Sequence, residues 1–265
     1  MADDRVAIEV EDGIADVRLV RGEKHNALDF AMFQALDRAT GELSARNDVR
    51  CVVLSGDGPS FCSGLDFPSF MGGEVGVDDM IEPTEGNVAN LVQRVSYDWQ
   101  RLPMPVIAAL HGNCLGGGAQ IALGTDIRIA APDTRICIME IRYGLIPDMG
   151  ITQALPVLVR QDAAKELTFS GRMVEATEAL ELGLITRLAD NPHEAAMEMA
   201  QEIAGRSPHA IRSAKQLLNE AYRGRSEDVL TLEADLQRDL IASPNQIAAV
   251  TATMTKQPGE FADPA

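Results

Sequence analysis

The apolar run Pro105-Val106-Ile107-Ala108-Ala109-Leu110 is followed, past His111 to Leu115, by Gly116-Gly117-Gly118 and then directly by Ala119-Gln120-Ile121-Ala122-Leu123. This order reads as a buried strand, a tight turn and the start of a helix. Three positions without side chains let the backbone come close to another group, and a helix start presents N–H groups with no partner inside the helix. Together they suit a negative oxygen. A second such element, Phe61-Cys62-Ser63-Gly64-Leu65-Asp66, follows the strand-like Cys51-Val52-Val53-Leu54. Two elements of this kind can give two N–H donors to one oxyanion. The competing reading is that Gly116 to Gly118 only permit close helix–sheet packing.

Other glycine-rich sites do not fit. A dinucleotide fingerprint fails because Ile121 stands where its third glycine belongs, and a P-loop fails because no Lys-Ser or Lys-Thr follows the glycines. The G-x-S-x-G elbow of serine hydrolases is missing at both serines that follow a strand-like stretch, since Phe61 and Val53 stand two residues before Ser63 and Ser55.

The two glycine segments, with their spacing, resemble the crotonase (enoyl-CoA hydratase/isomerase) family. Its patterns F-C-A-G-A-D and P-V-I-A-A-x-x-G-x-x-x-G-G-G meet Phe61 to Asp66 and Pro105 to Gly118, and the likeness runs on through Thr125 to Ala130, Gly144 to Pro147 and Glu181 to Ile185. The resemblance implies an α/β fold, a spiral of ββα units with a C-terminal helical region that builds a homotrimer or a dimer of trimers. It implies an acyl-CoA thioester as substrate and no separate cofactor. By motif match the oxyanion donors are the N–H groups of Ser63 and Gly117. Each such donor is worth ~100–1,000-fold in rate when negative charge develops on a thioester oxygen.

The acid and base groups decide the reaction. Hydratases of the family carry two glutamates, one two residues after the third glycine and one in a later P-E-I-x-x-G segment. Here the first position is Gln120, and the second matches Glu140 in Met139-Glu140-Ile141-Arg142-Tyr143-Gly144. An amide neither gives nor takes a proton near neutral pH, so the hydratase pair is broken. Asp148, eight residues after Glu140, stands where the family's dienoyl-CoA isomerases carry an aspartate, although those also carry an aspartate at the Gln120 position. The chemistry implied is a double-bond shift with Glu140 as acid and base. Two alternatives stay open: a hydratase in which Gln120 orients water, and a non-catalytic acyl-CoA binding homologue. Glu140 can also be read as a surface carboxylate, Asp148 as the cap of a helix starting near Met149 or Gly150, and Gln120 as a bland replacement.

For the rest of the substrate, Lys24-His25-Asn26-Ala27-Leu28 resembles the family's stretch along the adenine and pantetheine end, with Lys24 placed to meet a phosphate, or else simply solvated. Leu65, Asp66 and Gly116 belong to the same implied binding surface. Lys256 and Phe261 resemble a C-terminal pair that contacts the CoA of a neighbouring subunit.

A net charge of −17 argues against nucleic acid and anionic membranes as partners, and makes local basic groups necessary for a CoA site. No apolar run reaches the ~18 residues of a membrane span, and the acidic Met1-Ala2-Asp3-Asp4 lacks the features of a signal peptide, so a cytoplasmic location is expected. Cys51, Cys62, Cys114 and Cys137 form no C-x-x-C pair and read as core residues rather than a reactive thiol or a metal set; His25, His111, His193 and His209 show no metal-ligand spacing.

Along the chain, residues 5–10 and 14–20 read as a hairpin joined at Asp12-Gly13, and 29–45 as a helix capped by Asp29. Strands are expected at 49–55, 105–110, 127–131, 135–139 and 185–188, and helices at 88–102 and 117–124. Residues 67–87 read as an irregular, mobile loop beside the site. Helices are expected at 192–205, 208–222, 226–241 and 244–254. A composition shift near 190 divides the chain into a core with the acyl-CoA site (1–190) and a helical oligomerisation region (191–265).

Overall fold

The computed structural model describes residues 5–71, 78–82, 87–222, 231, 234–235, 237, 239–241 and 243–264. Strands β1 (Val6–Glu11) and β2 (Ile14–Leu19) pair antiparallel across Asp12-Gly13, whose φ angles of 51° and 77° are those of the hairpin turn that matches strand twist. From β2 onward the sheet is parallel. It runs through β3 (Cys51–Gly56), β4 (Val106–Leu110), β6 (Ile127–Ala130) and β9 (Arg187–Leu188), in the order β1-β2-β3-β4-β6-β9.

Parallel strands need cover on both faces, and β4 is buried along its whole length. One face meets α1 (Phe30–Ser44), started by the Asp29 carboxylate accepting from the Met32 N–H at 2.9 Å. After the short helices α2 (Phe67–Met71) and α3 (Asp78–Ile81) comes α4 (Leu91–Arg101), which packs on α1 and places Val95 and the fully buried Trp99 in the same core. The Asn90/Gln93 capping box fixes where α4 begins.

A smaller sheet joins β5 (Asn113–Leu115), β7 (Arg135–Cys137) and β8 (Val174–Glu175), and α5 (Gly117–Leu123) starts straight after β5. Beyond it, α6 (Leu155–Leu158), α7 (Gln161–Ser170) and α8 (Ala176–Leu182) lead to α9 (Pro192–Ala204). Ala196, Ala200 and Ala204, one turn apart on α9, lie against Cys51, Val53, Ile107, Ala109 and Ile129 on the other face of the large sheet. The division expected at 190/191 therefore runs in front of a helix that is part of the core. The later helices α10 (Pro208–Ala221) and α11 (Pro244–Thr255) complete the described chain.

Some expected boundaries move. The strand expected over 135–139 stops at Cys137, because β5 and β8 offer no partner beyond it, and Glu140–Tyr143 turns into a 3-10 helix instead. The last strand shrinks to Arg187–Leu188, because the N–H groups of Leu184 and Ile185 are both taken by the Ala179 carbonyl. In the segment expected to be irregular, α2 and α3 are helical, while 72–77 and 83–86 lie outside the described residues, as does most of the helix expected at 226–241.

All four cysteines are buried and free. Burial pushes the Cys51 and Cys62 thiols up to about 12, far from thiolate chemistry at neutral pH. Among the described residues no helix is long and apolar enough to cross a membrane.

The C-terminal helices leave Leu218, Tyr222, Ile247, Val250 and Met254 exposed. Exposed apolar side chains in such number on these helices are the kind of surface an interface covers. We propose that this region builds the trimer that the resemblance implies. Light scattering on dilute protein is expected to return the mass of three or six chains, and a stable, fully active monomer would contradict it.

Candidate active site

Two backbone bridges bring the glycine segments together. Cys62 pairs with Cys114 of β5, and Leu65 pairs with Leu28. The second segment is thus held between the β5 edge and the Lys24-to-Leu28 turn. Gly118 completes the fit. A Cβ there would lie 2.5 Å from the Cys62 carbonyl oxygen, so only glycine lets α5 start so close to this segment.

The junction opens on a cavity of about 510 Å³. Leu28, Phe33, Phe67, Met80, Ile81, Val92, Met139, Tyr143, Leu145, Ile146 and Met149 make its apolar walls. Ser63, Leu65, Gly116, Gly117, Gln120, Glu140 and Asp148 also line it. Sequence reasoning missed the walls: Phe67 and Tyr143, whose ring centroids lie 4.5 Å apart, come from segments that carry no local signal for such a role.

Glu140 opens the 3-10 turn after β7, and its side chain meets Gln120 on α5. The Gln120 Nε2 donates to Glu140 Oε1 at 2.7 Å, and Gln120 Oε1 accepts from the Met149 N–H at 2.9 Å. The fully buried amide is therefore a clamp between the two halves of the site. Glu140 Oε2 is also buried, and among the described residues it has no hydrogen-bond partner. Native structures rarely leave a buried carboxylate oxygen unpaired, and a catalytic role is one of the reasons they do. Burial, and then the nearby Asp148 charge, push the Glu140 pKa above its ordinary value; hydrogen bonds from Gln120 and the backbone oppose this only in part.

Asp148 is exposed at the cavity rim, and crowding by surrounding atoms pushes its pKa up as well. It caps no helix: the turn at Ile151–Gln153 has Gly150 as its N-cap and no side-chain cap. The capping alternative for Asp148 is thereby removed.

The backbone donors differ from the expected pair at one position. The Ser63 N–H is not free, since it donates to the His25 carbonyl at 2.9 Å. The ladder explains why. In the pairing with Leu28, the Leu28 N–H donates to Gly64 and the Asp66 N–H donates to Leu28, so the Leu65 N–H faces away from it. Among the described residues, neither the Leu65 N–H nor the Gly117 N–H at the start of α5 meets an acceptor. Of the two expected donors Gly117 is available and Ser63 is not; Leu65, two residues on, is.

Other expected substrate contacts also part company. Asp66 turns away from the cavity to Arg21 at 2.7 Å. Burial pushes its carboxyl up, but hydrogen bonds from Arg21 and Ser69 outweigh this and hold it below its ordinary value. Asp66 and Arg21, with Asp29 and Arg5, form an ion-pair network behind the site. Ala27 is outside the cavity wall and gives its carbonyl to Arg21, while Leu28, fully buried, lies in the wall. Lys24 is exposed on the turn that leads into the site. Lys256 and Phe261 do not line the cavity, and the Phe261 carbonyl accepts from Arg50 at 2.9 Å. The part implied for them is at a neighbouring subunit and belongs with the proposed trimer.

The sequence model of one known family, described as enoyl-CoA hydratase/isomerase, matches residues 9–264. The chain belongs to the enoyl-CoA hydratase/isomerase family. Within it, the chain is 31% identical over 258 residues to a mitochondrial Delta(3,5)-Delta(2,4)-dienoyl-CoA isomerase of Mus musculus, covering 92% of this chain and 77% of that one. It is 32% identical over 256 residues to a short-chain-enoyl-CoA hydratase of Clostridium acetobutylicum, covering 95% of each. The crystal structure of an enoyl-CoA hydratase from Bacillus anthracis superposes with a TM-score of 0.87 at 26% identity, covering 97% of this chain and 98% of that one. Similarity at this level is shared between family members named for isomerisation and for hydration, so the side chains in the cavity carry the choice of reaction.

Proposed function

We propose that this chain moves a carbon–carbon double bond within an acyl-CoA thioester. The Glu140 carboxylate takes a proton from the carbon next to the thioester carbonyl. The C–H electron pair moves toward the carbonyl carbon to form the enolate, and the carbonyl pair collects on oxygen between the N–H groups of Gly117 and Leu65; it returns when the far carbon of the conjugated system takes the proton. Glu140 then returns the proton to a carbon further along, and the double bond ends one position away. No electrons enter or leave, so the reaction consumes no cofactor. Preorganised donors aimed at the developing charge account for the close glycine packing.

The observation that carries this reading is the buried, unpartnered Glu140 Oε2 beside a Gln120 whose amide is engaged at both ends. A hydratase needs a second proton-handling group, and an amide already holding Glu140 and the Met149 N–H is poorly placed to direct water. A binding-only homologue leaves the cost of an unpaired buried carboxylate oxygen unexplained. The test is turnover by purified protein of a panel of enoyl-CoA and dienoyl-CoA esters, followed by chromatography that separates the double-bond isomers and mass spectrometry of each peak. A shifted double bond leaves the mass unchanged, whereas hydration adds a water. Products of unchanged mass are expected; products carrying a water support the hydratase reading, and no turnover supports the binding protein.

A further inference from the structure

We infer that the acyl group taken by this site is an uncharged hydrocarbon chain, and that acyl groups bearing a carboxylate are excluded. The inference rests on the acyl-CoA reading of the same cavity. Among the described residues lining it none is Lys, Arg or His, and its charged members are Glu140 and Asp148, both acidic. Two cations on adjoining elements stand outside the described lining. Arg94, on α4 beyond Val92, pairs with Asp37 at 2.7 Å, and Arg142, on the turn that carries Glu140, is exposed and lies against Gly171.

The sequence makes the same point for the stretch whose α2 and α3 wall the cavity. From Asp66 to Gln93 there is no Lys, Arg or His at any position, while Asp66, Glu74, Asp78, Asp79, Glu82 and Glu85 are acidic. The stretch therefore has no positive side chain to offer the acyl chain. A carboxylate moved from water into apolar walls needs a cation or several donors to replace its hydration. Beyond the Ser63 and Tyr143 hydroxyls the lining offers few donors, since the Gln120 Nε2 is given to Glu140 and the two backbone N–H groups are assigned to the thioester oxygen.

The test uses the full-length protein and calorimetric binding of three CoA esters matched in length: hexanoyl-CoA, adipoyl-CoA and the methyl ester of adipoyl-CoA. Hexanoyl-CoA is expected to bind, adipoyl-CoA at least ~30-fold more weakly, and the neutral methyl ester to recover most of the loss. Ile81→Lys, which places an ammonium at an exposed wall position, is expected to narrow the gap between adipoyl-CoA and hexanoyl-CoA by ~10-fold. Equal or tighter binding of adipoyl-CoA overturns the inference, and so does a methyl ester as weak as the acid, because length and not charge is then rejected. Failure of all three esters to bind overturns instead the acyl-CoA reading beneath it.

Discussion

Glu140→Gln is expected to slow the double-bond shift by ~100–10,000-fold, the span typical of a positioned acid or base, while hexanoyl-CoA binding changes only a few-fold. The substitution keeps the shape of the side chain and its place beside Gln120, and removes only the ability to hold a proton. The pH dependence supplies a second readout. Glu140 must be ionised to act as a base, and burial together with Asp148 raises its pKa above the ordinary carboxylate value. The acidic limb of kcat/KM should therefore lie above the pH at which an exposed glutamate titrates, with activity falling as pH drops through the raised pKa. Asp148→Asn removes the like charge, so Glu140 ionises more readily and the limb moves to lower pH. A Glu140→Gln variant with near-normal turnover would place the base elsewhere, and a limb unmoved by Asp148→Asn would show that the two carboxylates do not interact.

Gln120→Glu should raise hydration of a 2-enoyl-CoA by ~100-fold or more, because it restores a second proton-handling group of the kind the broken pair lacks. The new carboxyl would stand where the amide now reaches Glu140 Oε1 at 2.7 Å. Two carboxylates so close cannot both ionise freely, so they would titrate as a coupled pair, with one apparent pKa pushed well up. The isomerisation profile should shift its acidic limb to higher pH for the same reason. Stopped assays with product masses separate the two activities. Hydration unchanged by the substitution would mean that water is activated by some other group, or that the cavity does not admit it.

Much of this site is written locally in the chain. Gly116 to Gly118 followed by an apolar run specifies a strand–turn–helix junction, and Asp29 before an apolar stripe specifies a helix start, because turn geometry and capping depend on a few adjacent residues. Glu140 and Gln120 were legible as a pair of positions through the resemblance. Their 2.7 Å contact, and the grip of Gln120 on the Met149 N–H, depend on how α5 and the turn at 140–143 meet in space. The choice of Leu65 over Ser63 as a donor was hidden for a different reason. Alternation in extended backbone would point the Ser63 and Leu65 N–H groups to the same side, but Gly64 between them has φ of 88°, which breaks the alternation, and a motif alone does not show this. Asp66 reads as a site residue because it follows that motif, yet it answers to Arg21, far away in sequence. The walls made by Phe67, Met80 and Tyr143 are assembled from separate segments by packing alone.

In the proposed reaction one carboxylate, held by an amide, moves a proton within the substrate and does not activate water. The most direct test is the ratio of two rates in the unmodified protein at one pH: kcat/KM for converting a 3-enoyl-CoA into its isomer of equal mass, and kcat/KM for adding water to the 2-enoyl-CoA of the same length. Isomerisation faster by at least ~100-fold is the expected result, matching the absence of one acid–base group. Hydration as fast as isomerisation, and as fast as in Gln120→Glu, would contradict the account.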